Sequence, residues 1–237
     1  VKLKVLDLFS GVGGFSLGLE RTGGFETVAF CEIDPFCRQV LAKHWPGVPV
    51  LGDITAVDVF PEADVITAGY PCQDISIANP DATGLSGARS GLFWHAIRAI
   101  RMVRPKHVIL ENVAEMLGRG MGDVVGALAG CGYDAEWDCL PAAAAGAHHH
   151  RNRVWVVAHP CRSGLPIPEQ AGRVEPAETI AHVRRSVAQC PGRTTEPDVV
   201  RVVHGIPGRV DAIGALGNSV YPAIPEMIGR AILEVHR

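Results

Sequence analysis

The chain has 237 residues, 47% of them hydrophobic, and a formal net charge of −3. Such a composition buries a sizeable core and excludes global disorder, and no apolar stretch approaches the roughly 20 residues that span a bilayer. Seven cysteines, most of them inside or beside apolar runs, fit free thiols in a reducing compartment better than a disulfide framework. No signal-peptide pattern opens the chain, so a cytosolic location is expected. The charge is unevenly divided. Residues 1–150 hold 11 Lys+Arg against 17 Asp+Glu, while residues 151–237 hold 11 against 8, which makes the carboxyl-terminal third the better surface for a polyanion.

The first predicted element is a buried strand over residues 4–9, running directly into Ser10-Gly-Val-Gly-Gly14 and then a helix from about Phe15 to Arg21. A second strand covers 27–33. Pro35 opens a helix at its preferred first position, and Pro46-Gly47 stops it. A short strand at 48–51 leads into Gly52-Asp53-Ile54, and an apolar strand at 64–68 leads into Gly69-Tyr-Pro-Cys-Gln73. A glycine-rich loop over 75–91 has the composition of a lid. There follow a helix at 92–103, a strand at 107–112, a helix at 123–129, a strand at 134–140 and a strand at 154–158. Alternation at this spacing implies a mainly parallel, doubly wound sheet. From 159 to 204 proline, glycine, arginine and glutamate dominate, with modest helical character only at 179–187. A final amphipathic helix spans 222–236, with Ile224, Met227, Ile228, Ala231, Ile232 and Val235 on one face.

Three strand ends carry the chemistry. Cys72 follows Pro71, which halts the strand and turns the chain so that a thiol faces the crevice of an open α/β sheet. Glu111 ends the strand forty residues later, and Arg151 and Arg153 open another. Each alone is more often structural than catalytic, but together they form a nucleophile, an acid and two cations at one sheet edge. The glycine turn after the first strand lets backbone approach a ligand. Glu32, about twenty residues on, is placed to accept from ribose hydroxyls, and Asp53 from an adenine amino group. Nothing is spaced to hold a pyrophosphate, which favours S-adenosylmethionine over a dinucleotide.

With these residues in place, the chain resembles the cytosine-C5 DNA methyltransferases. Asp7-Leu-Phe-Ser-Gly-Val-Gly-Gly14 is similar to that family's cofactor loop, Gly69–Gln73 to its nucleophile motif and Glu111-Asn-Val113 to its glutamate motif. Arg151-Asn-Arg153 resembles its paired arginines, and Gly217-Asn-Ser-Val220 the late motif whose helix folds back beside the cofactor loop. His149 departs from the glutamine usual before the arginine pair. The resemblance implies a Rossmann-like class I methyltransferase sheet, mostly parallel with one antiparallel strand, and a small irregular recognition insert. Cys72 would attack C6 of a flipped-out cytosine, Glu111 would act at N3, and Arg153 would grip the base O2 while Arg151 supports the glutamate or a phosphate. Phe9 would stack on the adenine. Ser10, Gly11, Gly13, Pro71, Asn218, Ser219 and Val220 would face the methionine end, and Ile33, Ile54 and Leu92 would wall the pocket. Gln73, Ser76 and Arg89 of the lid would stabilise the flipped base.

The expected division is a catalytic region of 1–158 plus 205–237, with a recognition region at 159–204. Double-stranded DNA is the expected partner, drawn by Arg162, Arg173, Arg184, Arg185, Arg193, Arg201 and Arg209. A monomer is expected, and a cognate restriction endonuclease would share the system without a complex. Transfer RNA is the alternative substrate, and a non-catalytic DNA-binding homologue the alternative role. His148–His150 with Cys139, His159 and Cys161 invite a zinc reading. Adjacent histidines cannot all face one ion, so no metal is expected.

Overall fold

The computed structural model describes residues 1–71, 91–147, 151–161 and 219–235, together with 179, 180, 183 and 185. Seven strands form one sheet: β1 (Leu3–Leu8), β2 (Phe25–Cys31), β3 (Val50–Leu51), β4 (Val65–Ala68), β5 (His107–Val113), β6 (Tyr133–Pro141) and β7 (Asn152–Pro160). Their order is β3-β2-β1-β4-β5-β7-β6. Every pair from β3 through β5 is parallel, and β7 runs antiparallel to both of its neighbours. The sheet is therefore mostly parallel with one reversed strand, as expected, and its order switches between β1 and β4, where ligands bind in open α/β sheets.

The helices are α1 (Gly14–Arg21), α2 (Pro35–His44), α3 (Leu92–Val103), α4 (Met116–Arg119), α5 (Met121–Gly130) and α6 (Ala223–Val235). Among the described residues no helix is long and apolar enough to cross a membrane. Pro35 is at the first turn of α2, as its fixed φ dictates, and the Asp34 carboxylate caps that helix by accepting from the Cys37 N–H at 2.9 Å. This cap explains why β2 ends at Cys31 rather than Ile33. Glu32, Ile33 and Asp34 are drawn off the sheet into the helix entry.

Alternation along the strands splits the core in two. On one face Leu6, Leu8, Ile66, Val108, Leu110 and Val156 pack with Phe93 and Ile97 of α3 and with Val124 and Leu128 of α5. On the other, Val5, Val65, Ile109, Trp155 and Val157 pack under Phe15 and Leu19 of α1 and Ile224 and Ile228 of α6. A side chain at Gly14 or Gly18 would collide with the backbone oxygens of Val220 and Pro222. The segment leading into α6 thus folds back against α1, beside the glycine turn, as the resemblance implied.

Thr179, Ile180, Val183 and Arg185 are helical. Ile180 and Val183 are buried in the second core although they fall between residues 159 and 204. Glu136 of β6 holds them there. Its Oε2 accepts from the Ile180 N–H at 2.9 Å, and its other oxygen is buried with no hydrogen-bond partner among the described residues. Burial raises the Glu136 pKa, opposed by the bonds from Ile180 and Thr179. Replacing Glu136 by Leu orphans a buried N–H and should destabilise the chain by about 1–3 kcal/mol. Glu136→Gln keeps an acceptor and should fall close to the native chain. Urea midpoints of the two variants check this, and equal losses in both would refute the capping role.

Candidate active site

The turn after β1 is held in an unusual backbone shape. Phe9, Gly11 and Gly13 have φ of 54°, 53° and 85°, a region that β-carbon-bearing residues enter only at a cost. At Gly13 a β-carbon would also strike the Trp45 ring. The turn closes on itself. Gly11 N–H donates to Glu32 Oε2 at 2.7 Å, Gly13 N–H to the Ser10 carbonyl at 2.9 Å, and Ser10 N–H to the Cys31 carbonyl at 3.2 Å. The Ser10 hydroxyl donates to the Asp7 carbonyl at 2.6 Å and is itself buried.

These bonds decide what the turn can hold. In a dinucleotide site the turn's amides point at phosphate, whereas here Gly11 and Gly13 are engaged internally and a carboxylate lies beside them. Glu32 also accepts from Asp34 N–H at 2.8 Å, and each of its oxygens retains a lone pair for a further donor. Ile33, next to it, is 66% exposed, an apolar wall without a cover among the described residues. Ile33 and Gly52 share a cleft of about 470 Å³ with Pro35, Arg38, Gln39, Ala42 and Val50. Asp53 is exposed and precedes the 3-10 turn Ile54–Ala56, whose Ile54 is buried. Bonds from Thr55 and the facing His95 hold the Asp53 carboxyl below the ordinary range. Two carboxylates and an exposed apolar side chain, beside a turn whose Gly11 and Gly13 amides are already engaged, suit a ligand that donates hydrogen bonds and carries an apolar plane. The adenosyl part of S-adenosylmethionine is such a ligand.

Further along the edge, Glu111 is 7% exposed at the end of β5. Arg153 Nε stands 3.0 Å from its Oε1. The register explains the meeting, since Glu111 faces Trp155 and Val113 faces Arg153, placing Glu111 and Arg153 diagonally on one sheet face. Burial raises the Glu111 pKa, and the guanidinium groups of Arg153 and Arg151 counter it only in part. Arg153 thus makes an ion pair with Glu111, and the charge of Arg151, expected to support the glutamate or a phosphate, acts on it too. Arg153 Nη1 donates to the Asn152 carbonyl.

Strand β4 delivers Gly69, Tyr70 and Pro71 to the same place. A methyl on Gly69 would stand 3.5 Å from Glu111 Oε2 and 3.7 Å from Val220. Asn112 donates to the Tyr70 carbonyl at 3.3 Å, and the Tyr70 hydroxyl to Met116 Sδ at 2.9 Å. The start of the nucleophile motif, the glutamate, the arginine pair and Val220 are therefore brought together. Leu92 packs at the edge of the first core, and Ser219 precedes Val220. Cys72, Gln73, Ser76, Arg89, His149, His150 and Asn218 lie outside the described residues, as do Arg162, Arg173, Arg184, Arg193, Arg201 and Arg209. Arg185 is exposed.

Asp7, which opens the cofactor-loop motif but was given no role of its own, is fully buried near the end of β1. Its carboxyl accepts from the Thr67 hydroxyl at 2.7 Å and the Ser16 hydroxyl at 2.9 Å. A lone acid within the apolar run Val-Leu-Asp-Leu was the available signal.

The sequence profile of the C-5 cytosine-specific DNA methylases matches residues 3–195. The Type II methyltransferase M2.BsuMI of Bacillus subtilis is 37% identical over 164 residues, covering 66% of this chain and 42% of its own length. Type II methyltransferase M.Sau3AI of Staphylococcus aureus is 35% identical over 181 residues, covering 67% and 43%. The chain thus spans about two-fifths of the length of these relatives. The structure of the Entamoeba histolytica methyltransferase EhMeth superposes with a TM-score of 0.69 at 13% identity, over 100% of this chain and 99% of that one, a likeness of fold.

Burial pushes the Asp7 carboxyl up to about 7 against the bonds from Thr67 and Ser16. A raised folded pKa means that the folded chain keeps a proton which the unfolded chain has released. Asp7 therefore contributes stability below about pH 4 that is lost as the pH rises through about 7. Asp7→Asn, neutral throughout, should flatten that decline. Urea midpoints between about pH 5 and about pH 8 report it, and an unchanged slope in the variant assigns the decline elsewhere.

Proposed function

This chain belongs to the C-5 cytosine-specific DNA methylase family, and we propose that it transfers a methyl group from S-adenosylmethionine to C5 of cytosine in double-stranded DNA. The observation that carries the reading is buried Glu111, paired with Arg153, whose Oε2 lies 3.5 Å from the position of a β-carbon on Gly69, three residues before Cys72 in the sequence. Cytosine C5 is a poor nucleophile. Attack of the Cys72 thiolate on C6 forms a C–S bond and turns C5 into the carbon of an enamine. Glu111, its pKa raised by burial, holds a proton for N3, where negative charge would otherwise grow during that attack. Arg153 fixes the Glu111 carboxyl through one edge of its guanidinium. The charge of Arg151 also acts on Glu111. S-adenosylmethionine, when bound, supplies a methyl group on a sulfonium. Loss of the C5 proton to a base and expulsion of the thiolate then restore the C5–C6 double bond. Because C6 is buried in a stacked duplex, the base must leave the helix, at a cost of a few kcal/mol.

For the cofactor, Glu32 would accept from the ribose hydroxyls and Asp53 from the adenine amino group, with Phe9, Ile33, Ile54 and Leu92 as apolar walls. Ser10, Gly11, Gly13, Pro71, Asn218, Ser219 and Val220 would line the methionine end. The Ser10 hydroxyl is already committed to Asp7, so its part is to hold the turn. Gln73, Ser76 and Arg89 would steady the flipped base. The catalytic region would comprise 1–158 and 205–237, and residues 159–204 would read a short DNA sequence, anchored at Ile180 and Val183.

Duplex DNA carrying 5-fluorocytosine blocks the final elimination and should trap the chain covalently at Cys72, as read by denaturing gel and peptide mapping. An adduct with transfer RNA instead would move the substrate to RNA. Cofactor binding with no adduct on either would indicate a non-catalytic homologue.

The pH profile tests Glu111. If its protonated form works, turnover falls on the basic side as Glu111 ionises. Arg153→Ala removes the group that lowers the Glu111 pKa, so the basic limb should move to higher pH while turnover drops about 10²-fold or more. Glu111→Gln should abolish the limb. A limb that shifts in neither variant excludes Glu111 as its origin.

A further inference from the structure

The turn that presents Asp53 is short. Ile54–Ala56 makes one 3-10 turn, closed by Ala56 N–H to the Asp53 carbonyl at 3.0 Å and by a long bond of 3.4 Å from Val57 N–H to the Ile54 carbonyl. The Asp53 carboxylate caps it through Thr55 N–H at 2.9 Å. A single turn of this kind has little stability of its own. Its shape is imposed from outside, by Arg98 of α3. Nη2 donates to the Ile54 carbonyl at 2.6 Å and Nη1 to the Val57 carbonyl at 2.8 Å, so one guanidinium spans both ends of the turn. The same group lies 5.6 Å over the ring of buried Phe60, which fixes its plane. Arg98 Nε is buried with no partner among the described residues, so the fork is held by its two Nη groups.

We propose that Arg98 is a positioning residue that sets the affinity and the adenine selectivity of the cofactor site through the Asp53–Val57 turn. The described partners of Arg98 are the two carbonyls and the Phe60 ring. Arg98 holds the carbonyls of Ile54 and Val57, and with them the direction of the Asp53 carboxylate and the seat of Ile54. Because α3 begins at Leu92, the same tie also registers the Leu92 wall against the Ile54 wall. A lysine has the charge but not the fork, and it cannot serve both carbonyls at once. The inference rests on the reading of Asp53 as the acceptor of the adenine amino group.

The test compares S-adenosylhomocysteine with S-inosylhomocysteine, which replaces the amino group by an oxo group, in calorimetric titrations of the whole chain. The native chain and Asp53→Ala, Arg98→Lys and Arg98→Met variants are measured side by side. The native chain should prefer the adenosyl compound by at least about ten-fold, the size of one well-made hydrogen bond to a charged acceptor. Asp53→Ala should erase that preference. Arg98→Met should erase most of it by weakening the adenosyl compound about ten-fold while changing the inosyl compound little, with Arg98→Lys between. If Arg98→Met does not fold, Arg98→Lys carries the same comparison. A native preference that Asp53→Ala abolishes and both Arg98 variants retain would overturn the role of Arg98 alone. A native chain without preference, or one that Asp53→Ala leaves unchanged, would overturn the Asp53 reading and the proposal with it.

Discussion

The site depends on keeping a charge-bearing group where water does not reach it. Glu111 is buried at the end of a strand, where a carboxyl left without a partner is costly. Arg153 is that partner, and the reversed direction of β7 is what makes it available. A parallel strand in that position would bring its last residues to the site, with its first residues at the far edge of the sheet. The antiparallel β7 begins where β5 ends, so an arginine pair that opens a strand meets a glutamate that closes one. One reversed strand thus converts a sequence separation of about forty residues into a 3.0 Å contact.

The face that carries this pair is polar further inward as well. Asp7 and Thr67 are opposed in the β1–β4 register and hydrogen-bonded, and Ser16 reaches them from α1. Around them lie Val5, Val65, Ile109, Trp155 and the apolar side of α6. A buried acid in such surroundings is tolerated when its acceptor sites are served, and the hydroxyls of Thr67 and Ser16 serve them. The neutral form of Asp7 removes the remaining penalty. The glycine turn is therefore seated on a hydrogen-bonded base, which holds Phe9 in a left-handed conformation that only its glycine neighbours adopt freely.

Much of this was legible in the sequence because it is local. The Pro35 start of α2, the bounds of α3 and the run of parallel strands each follow from a few adjacent residues, and structure and sequence agree on them. The strand ends that carry Asp53, Pro71, Glu111 and Arg153 were legible for the same reason. What sequence reasoning missed is held by contacts across long separations. Asp7 and Thr67 are 60 residues apart, Arg98 and Ile54 are 44 apart, and Glu136 and Ile180 are also 44 apart. No periodicity announces such partners. The early end of β2 is a different miss, a local one, because Asp34 is claimed by a helix cap that competes with the strand.

The ties at the strand tips share a form that bears on function. The sheet ladder stops at Leu8, Cys31, Leu51, Ala68 and Val113, and beyond it the tips are joined by bonds between side chains and backbone. Glu32 holds Gly11 and Asp34, Asn112 holds Tyr70, and Arg98 holds Ile54 and Val57. Each tie fixes the first residues past a strand end, the positions from which an open α/β sheet meets its ligands. Such groups stabilise a developing charge only if they need not reorganise at the moment of reaction. Loops tied in this way at their bases meet that condition.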